Sequence, residues 1–282
     1  WFINALFSSF IKKNIITKKG EASMGWKPTI IIVVKRKLLY LAVIVLAVFL
    51  GWWLYQEPTL QIYLPFTSAI SGKRIVVDAG HGGIDPGTRS KTGLLEKEIN
   101  LDIALKIKRR LSMVGVYCVM IRETDRDFSD SGEDIATKKR RDLSYRTRIA
   151  NQSGADLYLA IHANSFPQSI YQGAQTFYEK SDPSSKRLAE AVQYHLVKEL
   201  GPNRRRAKAG DFRVLNDTEM PGVMIEVGFL SNPEEAELLK DEAYRGRIAK
   251  AIFHGVVDYF SNRRRCLPKV EADGRSLLRL GE

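Results

Sequence analysis

The chain has 282 residues, with 44 Lys and Arg against 32 Asp and Glu, and a formal net charge of +12. Setting aside an apolar run near its start leaves roughly 200 residues, enough for one domain with its own core, and the spread of aliphatic and aromatic residues excludes a disordered chain. The positive balance favours anionic partners, whether nucleic acid, anionic lipid or an acidic polymer, without choosing among them.

The chain opens on Trp1, and Met24 is its first methionine. Residues 1–23 are read as an over-extended gene start and left out of the fold. Residues 38–55, LLYLAVIVLAVFLGWWLY, carry no charge. At about 1.5 Å per residue this run is just long enough to cross a hydrocarbon core. Lys35, Arg36 and Lys37 precede it and Gln56 and Glu57 follow. That asymmetry predicts residues 1–37 in the cytoplasm and the bulk of the chain outside it. The run is long for a signal peptide and no A-x-A site follows, so an uncleaved transmembrane anchor is favoured over secretion after cleavage. Residues 56–72, with Pro58, Pro65 and Gly72, read as a linker.

Strands and helices then alternate. KRIVVDAG (73–80) is an apolar strand ending in glycine. Residues 96–114 place Ile99, Ile103, Ile107 and Leu111 at helical spacing, with Gly115 as the stop. VYCVMI (116–121) is the next strand, 122–140 is polar and irregular, and 141–153 is a helix closed by Gly154. Two strands follow at 156–164 and 173–180, then a helix over 184–200 capped by Gly201-Pro202. FRVLND (212–217) and GVMIEVGFL (222–230) are two more strands, and a last helix spans about 241–260, with Tyr244, Ile248, Ile252 and Val256 inward. This order predicts a single α/β domain over 73–262, with a twisted, largely parallel sheet of about six strands. Residues 263–282 form a polar tail.

Chemistry-bearing residues gather at the predicted strand ends, where open α/β sheets place their sites. In DAGHGGIDPG (78–87) glycines flank His81 and leave its ring unshielded. A plain turn accounts for this segment equally well. A phosphate loop does not, because neither GK[ST] nor GxGxxG is present. In LLEKEIN (94–100), Glu96 and Glu98 both suit a helix start, where carboxylates are favoured by the dipole. AIHAN (160–164) puts His162 in an apolar strand, and a lone histidine there is more often packing than ligand. Glu226 in MIEVGFLSN (224–232) interrupts an apolar strand, and a carboxylate buried there needs a cation beside it or a raised pKa. Together, two histidines and a carboxylate make a three-ligand zinc set with one position open for water, and Glu226 suits the acid/base. No HExxH motif announces such a site.

Other chemistries fit less well. No G-x-S-x-G elbow is present. Cys118 and Cys266 lie far apart with no CxxC spacing, the first in an apolar strand and the second in the tail. His195 reads as partly buried packing, and His254 as a surface ion pair with Asp258 at i+4. The basic runs 138–141, 204–206 and 263–265 lack interleaved aromatics, so they read as solvated faces able to lean on an anionic wall or membrane and not as a nucleic-acid site.

The four segments DAGHGGIDPG, LLEKEIN, RIANQSGADLYLAIHAN and PGVMIEVGFLSN, in this order over about 73–260, resemble the zinc N-acetylmuramoyl-L-alanine amidases of bacterial walls, the amidase-3 type. The resemblance implies that His81, Glu96 and His162 bind one Zn2+ and that Glu226 is the catalytic glutamate. It chooses Glu96 over Glu98. It implies hydrolysis of the amide joining the lactyl group of N-acetylmuramic acid to L-alanine in peptidoglycan. Asn100, Asn164 and Asn232 stand beside motif residues and are expected to orient ligands or bind substrate. The N-terminal apolar run, RRRAKAG (204–210) and the polar insert before RRDLSYRTRIAN are most similar to the germination-specific, CwlD-type amidases of spore formers. Those act with a deacetylase to form muramic-δ-lactam in spore cortex, which implies a site in the space between the developing spore's membranes and a spore-specific lipoprotein or deacetylase as partner. No long autoinhibitory helix is expected. A zinc carboxypeptidase acting on stem peptides and a non-catalytic wall-binding protein are the competing readings.

Overall fold

The computed structural model describes residues 28–55, 67–129, 132, 134–201 and 203–263. The expected gene-start segment 1–23, most of the linker, Pro202, Cys266 and the tail beyond Arg263 lie outside the described residues. The chain divides into two compact units, Trp1–Ile62 and Tyr63–Glu282.

The described part of the first unit is helix α1 (Pro28–Tyr55), which contains the apolar run. Its side chains from Leu39 to Trp52 are exposed, Leu46 at 66 %. Among the described residues, no helix is long and apolar enough to cross a membrane. The structure therefore does not support the transmembrane anchor expected at 38–55. The side chains of Leu38 and of Trp53 to Tyr55, at the ends of that run, fall outside the described residues.

The second unit is built on β1 (Arg74–Ala79), β2 (Tyr117–Met120), β3 (Leu157–Asn164), β4 (Gln175–Tyr178), β5 (Lys208–Ala209) and β6 (Gly222–Phe229). They form one sheet in the order β2-β1-β3-β6-β4-β5. All neighbours are parallel except β4 and β6. The helices are α2 (Glu96–Ser112), α3 (Ile135–Gln152), α4 (Pro183–Leu200), the one-turn α5 (Arg213–Asn216), α6 (Pro233–Lys240) and α7 (Glu242–Phe260). The sheet is covered on both sides. Ile75, Val77, Leu157, Leu159, Ile161, Val223 and Ile225 share one core with residues of α2, α4 and α7. Val76, Tyr158, Ala160 and Met224 face the other way, into a smaller core with α3 and α5. The two-residue alternation of a strand carries Asp78, His162 and Glu226 to that second face.

Four elements differ from the sequence reading, and α6 is one of them, since no helix is expected over 233–240. Residues 212–217 are not a strand: Phe212 N-caps the short helix α5, with Asp217 at its end. The sixth strand is instead Lys208–Ala209, paired with Phe177 and Tyr178 of β4. Helix α3 starts six residues earlier than expected, because the Asp134 carboxylate caps the Thr137 amide ahead of a basic run with no apolar period. His254 is half-buried and not on the exposed polar face expected. Asp258 bonds His195 on α4 at 2.8 Å, and burial pushes the His254 imidazole down to about 3.

Helices α4 and α7 cross closely enough that a Cβ on Gly255 would stand 2.5 Å from the Val192 Cα. A backbone atom cannot swing aside, so Gly255→Ala forces the helices apart. Urea unfolding is expected to show a loss of roughly 1–3 kcal/mol, against a gain of up to about 1 kcal/mol for Gly246→Ala, a position of the same helix whose added methyl meets nothing.

Candidate metal centre

Strand β1 delivers the chain to Gly80 and His81 at its carboxyl end. A Cβ on Gly80 would stand 2.2 Å from the His162 ring, so glycine is what lets this loop lie against the end of β3. His81 adopts φ 61°, a left-handed conformation that non-glycine residues seldom hold unsupported. The support comes from two buried arginines. Arg146 on α3 donates to the carbonyls of Ala79 at 3.0 Å and His81 at 2.7 Å. Arg122, just after β2, donates to the carbonyls of Ala79 at 2.8 Å and Gly80 at 3.0 Å. Arg146 is itself paired with Asp78 at 2.5 Å and Asp142 at 2.6 Å, and the Tyr158 hydroxyl donates to Asp78. Burial and the neighbouring Arg146 charge lower the Arg122 guanidinium to about 10. Asp125 and Asp127 accept from the amides of Gly83 and Ile84 and tie down the outer part of the loop.

Sequence reasoning did not single out this arginine–aspartate frame. One signal was available: Asp78 interrupts an apolar strand as Glu226 does.

The first turn of α2 brings Glu96 to the same point, buried at 3 % exposure, while Glu98 is exposed. Glu96 Oε1 lies 3.1 Å from His81 Nε2 and 3.1 Å from His162 Nδ1. It also accepts from the Ala163 amide and from Asn100 Nδ2, and Oε2 accepts from the Thr88 amide. Burial opposes ionisation of Glu96, but the two histidines outweigh it and hold the carboxyl well below its usual range. His81 Nδ1 meets Asp85 at 2.8 Å. Burial again opposes the charged ring, and the bonds to Asp85 and Glu96 overcome it, raising His81 to about 9.

One donor atom from each of His81, Glu96 and His162 lies within 4.8 Å of the others, the only such cluster of three or more among the described residues. Two imidazoles and a carboxylate are the donor set of an open catalytic zinc site. Asp85 behind His81 supplies the carboxylate that commonly fixes a metal-bound histidine's tautomer. The residues therefore fit a zinc ion.

Glu226 completes the group. It is opposite His162 in the β3–β6 register and opposite Gln175 in the β4–β6 register. It is 9 % exposed, and its Oε2 has no hydrogen-bond partner. Burial pushes its carboxyl up to about 7.

The three asparagines separate. Asn100 is fully buried and bonds Glu96 and the Gly80 carbonyl, so it orients the carboxylate and is closed to substrate. Asn232 is buried and N-caps α6, accepting from the amides of Glu234 and Glu235, so capping explains it without substrate. Asn164 is half-buried at the end of β3, with its side chain on the Ser165 amide.

A model of the Amidase_3 family, N-acetylmuramoyl-L-alanine amidase, matches residues 75–258. The chain belongs to the amidase-3 family. It is 36 % identical over 212 residues to the germination-specific N-acetylmuramoyl-L-alanine amidase of Bacillus subtilis, covering 74 % of this chain and 89 % of that protein. Among solved structures it is similar to the CwlD amidase of Clostridioides difficile in complex with the GerS lipoprotein. That match has 40 % identity and a TM-score of 0.67, over 68 % of this chain and all of that one. It is also similar to the catalytic domain of CwlV from Bacillus (Paenibacillus) polymyxa, at 32 % identity and TM-score 0.58, over 67 % and 98 % of the two chains. The family match spans all four segments that carry the proposed site, and the likeness to the solved CwlD structure agrees with the α/β domain expected from sequence.

The raised Glu226 pKa sets a sign for stability. Its folded-state carboxyl keeps a proton up to about 7, whereas the unfolded one releases it near 4.5. Metal-free protein therefore loses stability as pH rises through that window. Glu226→Gln removes the cost. At about 1.4 kcal/mol per pKa unit, the variant is expected to be more stable than wild type by about 3 kcal/mol at pH 8 and to differ little at pH 4.5. Denaturant unfolding of chelated protein at the two pH values checks this.

Proposed function

We propose that this chain hydrolyses the amide between the lactyl group of N-acetylmuramic acid and L-alanine in peptidoglycan, with Zn2+ held by His81, Glu96 and His162 and with Glu226 as acid/base. The observation that carries the reading is the convergence of those three donors within 4.8 Å beside a buried carboxylate with a bare oxygen. Zinc, when bound, polarises the scissile carbonyl and lowers the pKa of a bound water toward about 7.

The protein's own part follows from the site. Asp85 holds His81 so that Nε2 faces the centre. Asn100, Thr88 and Ala163 fix Glu96 in one orientation. Glu226, with a pKa near 7, takes a proton from water and returns it to the departing alanine nitrogen.

The role we propose is the germination-specific one, cutting spore-cortex peptidoglycan so that a deacetylase can form muramic-δ-lactam. Identity to the Bacillus subtilis protein over most of its length supports it. The Clostridioides difficile relative is bound to a lipoprotein, and a lipoprotein partner for this chain is part of the same proposal. A wall substrate places the domain outside the cytoplasm. Membrane attachment through α1 rests on its exposed apolar side chains and the basic residues before them.

Incubation with purified peptidoglycan and zinc, followed by mass spectrometry, tests the reading. Intact stem peptides with free L-alanine amino termini are expected. Cleavage only within the peptide would replace the amidase with a carboxypeptidase or endopeptidase. Glu226→Ala is expected to keep its zinc and lose at least about 100-fold in rate.

A further inference from the structure

A cavity of about 300 Å³ opens beside His81 and His162, between the Gly80–Asp85 loop and the first turns of α3. Ile84, Leu143 and Val214 give it apolar walls, and Lys138 and Lys139 line it from the basic run of α3. We infer that this cavity receives the peptide side of the substrate, and that Lys138 binds a carboxylate on the residue following the alanine. The inference rests on the amidase reading and adds its substrate polarity.

Size favours a peptide over the glycan. The volume is at the small end of ligand cavities, which run from about 300 to 1,000 Å³. It suits a fragment of one or two residues, whereas a sugar chain needs an open groove. The apolar walls suit an alanine methyl group.

The charges favour an acid. Every carboxylate lining the cavity is already engaged. Asp78 and Asp142 are held by Arg146, and Asp85 by His81 and Lys139. Asp127 accepts from the Ile84 amide and from Ser129. Lys138, half-buried, has no ion-pair partner among the described residues, so its ammonium donors remain for a ligand. The basic run that reads in sequence as a solvated face thus contributes one unspent cation to the cavity that the two histidines also line.

The test uses two N-acetylmuramoyl-L-alanyl peptides that differ only in whether the residue after alanine is glutamate or glutamine. Wild type is expected to favour the acid by about tenfold in kcat/KM, mostly through KM. Lys138→Gln should erase that preference with kcat retained, Lys138→Arg should keep it, and Lys138→Glu should reverse it. Equal use of both peptides by wild type, or an unchanged preference in Lys138→Gln, would overturn the inference while leaving the amidase reading intact. Failure of wild type to cut either peptide would overturn both.

Discussion

One buried carboxylate holds this site together. Glu96 receives both histidines, two backbone amides and the Asn100 amide, and so joins the loop after β1, the end of β3 and the start of α2. Two imidazole nitrogens aimed at one anionic oxygen are arranged as they would be around a cation. The rest of the architecture serves that convergence. Parallel strands β1 and β3 end side by side, and β6 supplies Glu226 next to His162.

The loop that carries His81 has little apolar support of its own, and its φ is unfavourable. Its carbonyls are held by Arg122 and Arg146, which are taken out of water. Burying such charges is costly, and the cost is offset only where each is paired and hydrogen-bonded. Here Asp78, Asp142, Tyr158 and five backbone carbonyls do that for Arg146 and Arg122 together. The frame holds the loop's carbonyls by charged hydrogen bonds where apolar packing is sparse, and a metal site needs its ligands held in place.

Much of this was legible in the residues. Strands β1, β3 and β6 are buried on both faces, so they appear as continuous apolar runs, and their polar interruptions marked His162 and Glu226. Helix periodicity located α2, α4 and α7. It could not choose between Glu96 and Glu98, because both satisfy a helix start; burial against β3 separates them, and burial is a property of the fold. The start of α3 was hidden because Lys138 to Arg141 carry no apolar period. Strand β5 is too short to leave a pattern, and 212–217 alternates like a strand while closing into one helical turn. Helix α6 did leave a signal in Asn232-Pro233-Glu234-Glu235, a cap followed by proline and acids. The structure reads Asn232 as that cap.

The account stands on Glu96 as the residue where the ligands meet. Metal content per chain after zinc reconstitution of metal-depleted protein, measured by elemental analysis for Glu96→Gln and Glu98→Gln beside wild type, tests it most directly. One zinc per chain in wild type and in Glu98→Gln, with most of it lost from Glu96→Gln, is the expected result. A Glu96→Gln protein that keeps its zinc as wild type does would contradict the account.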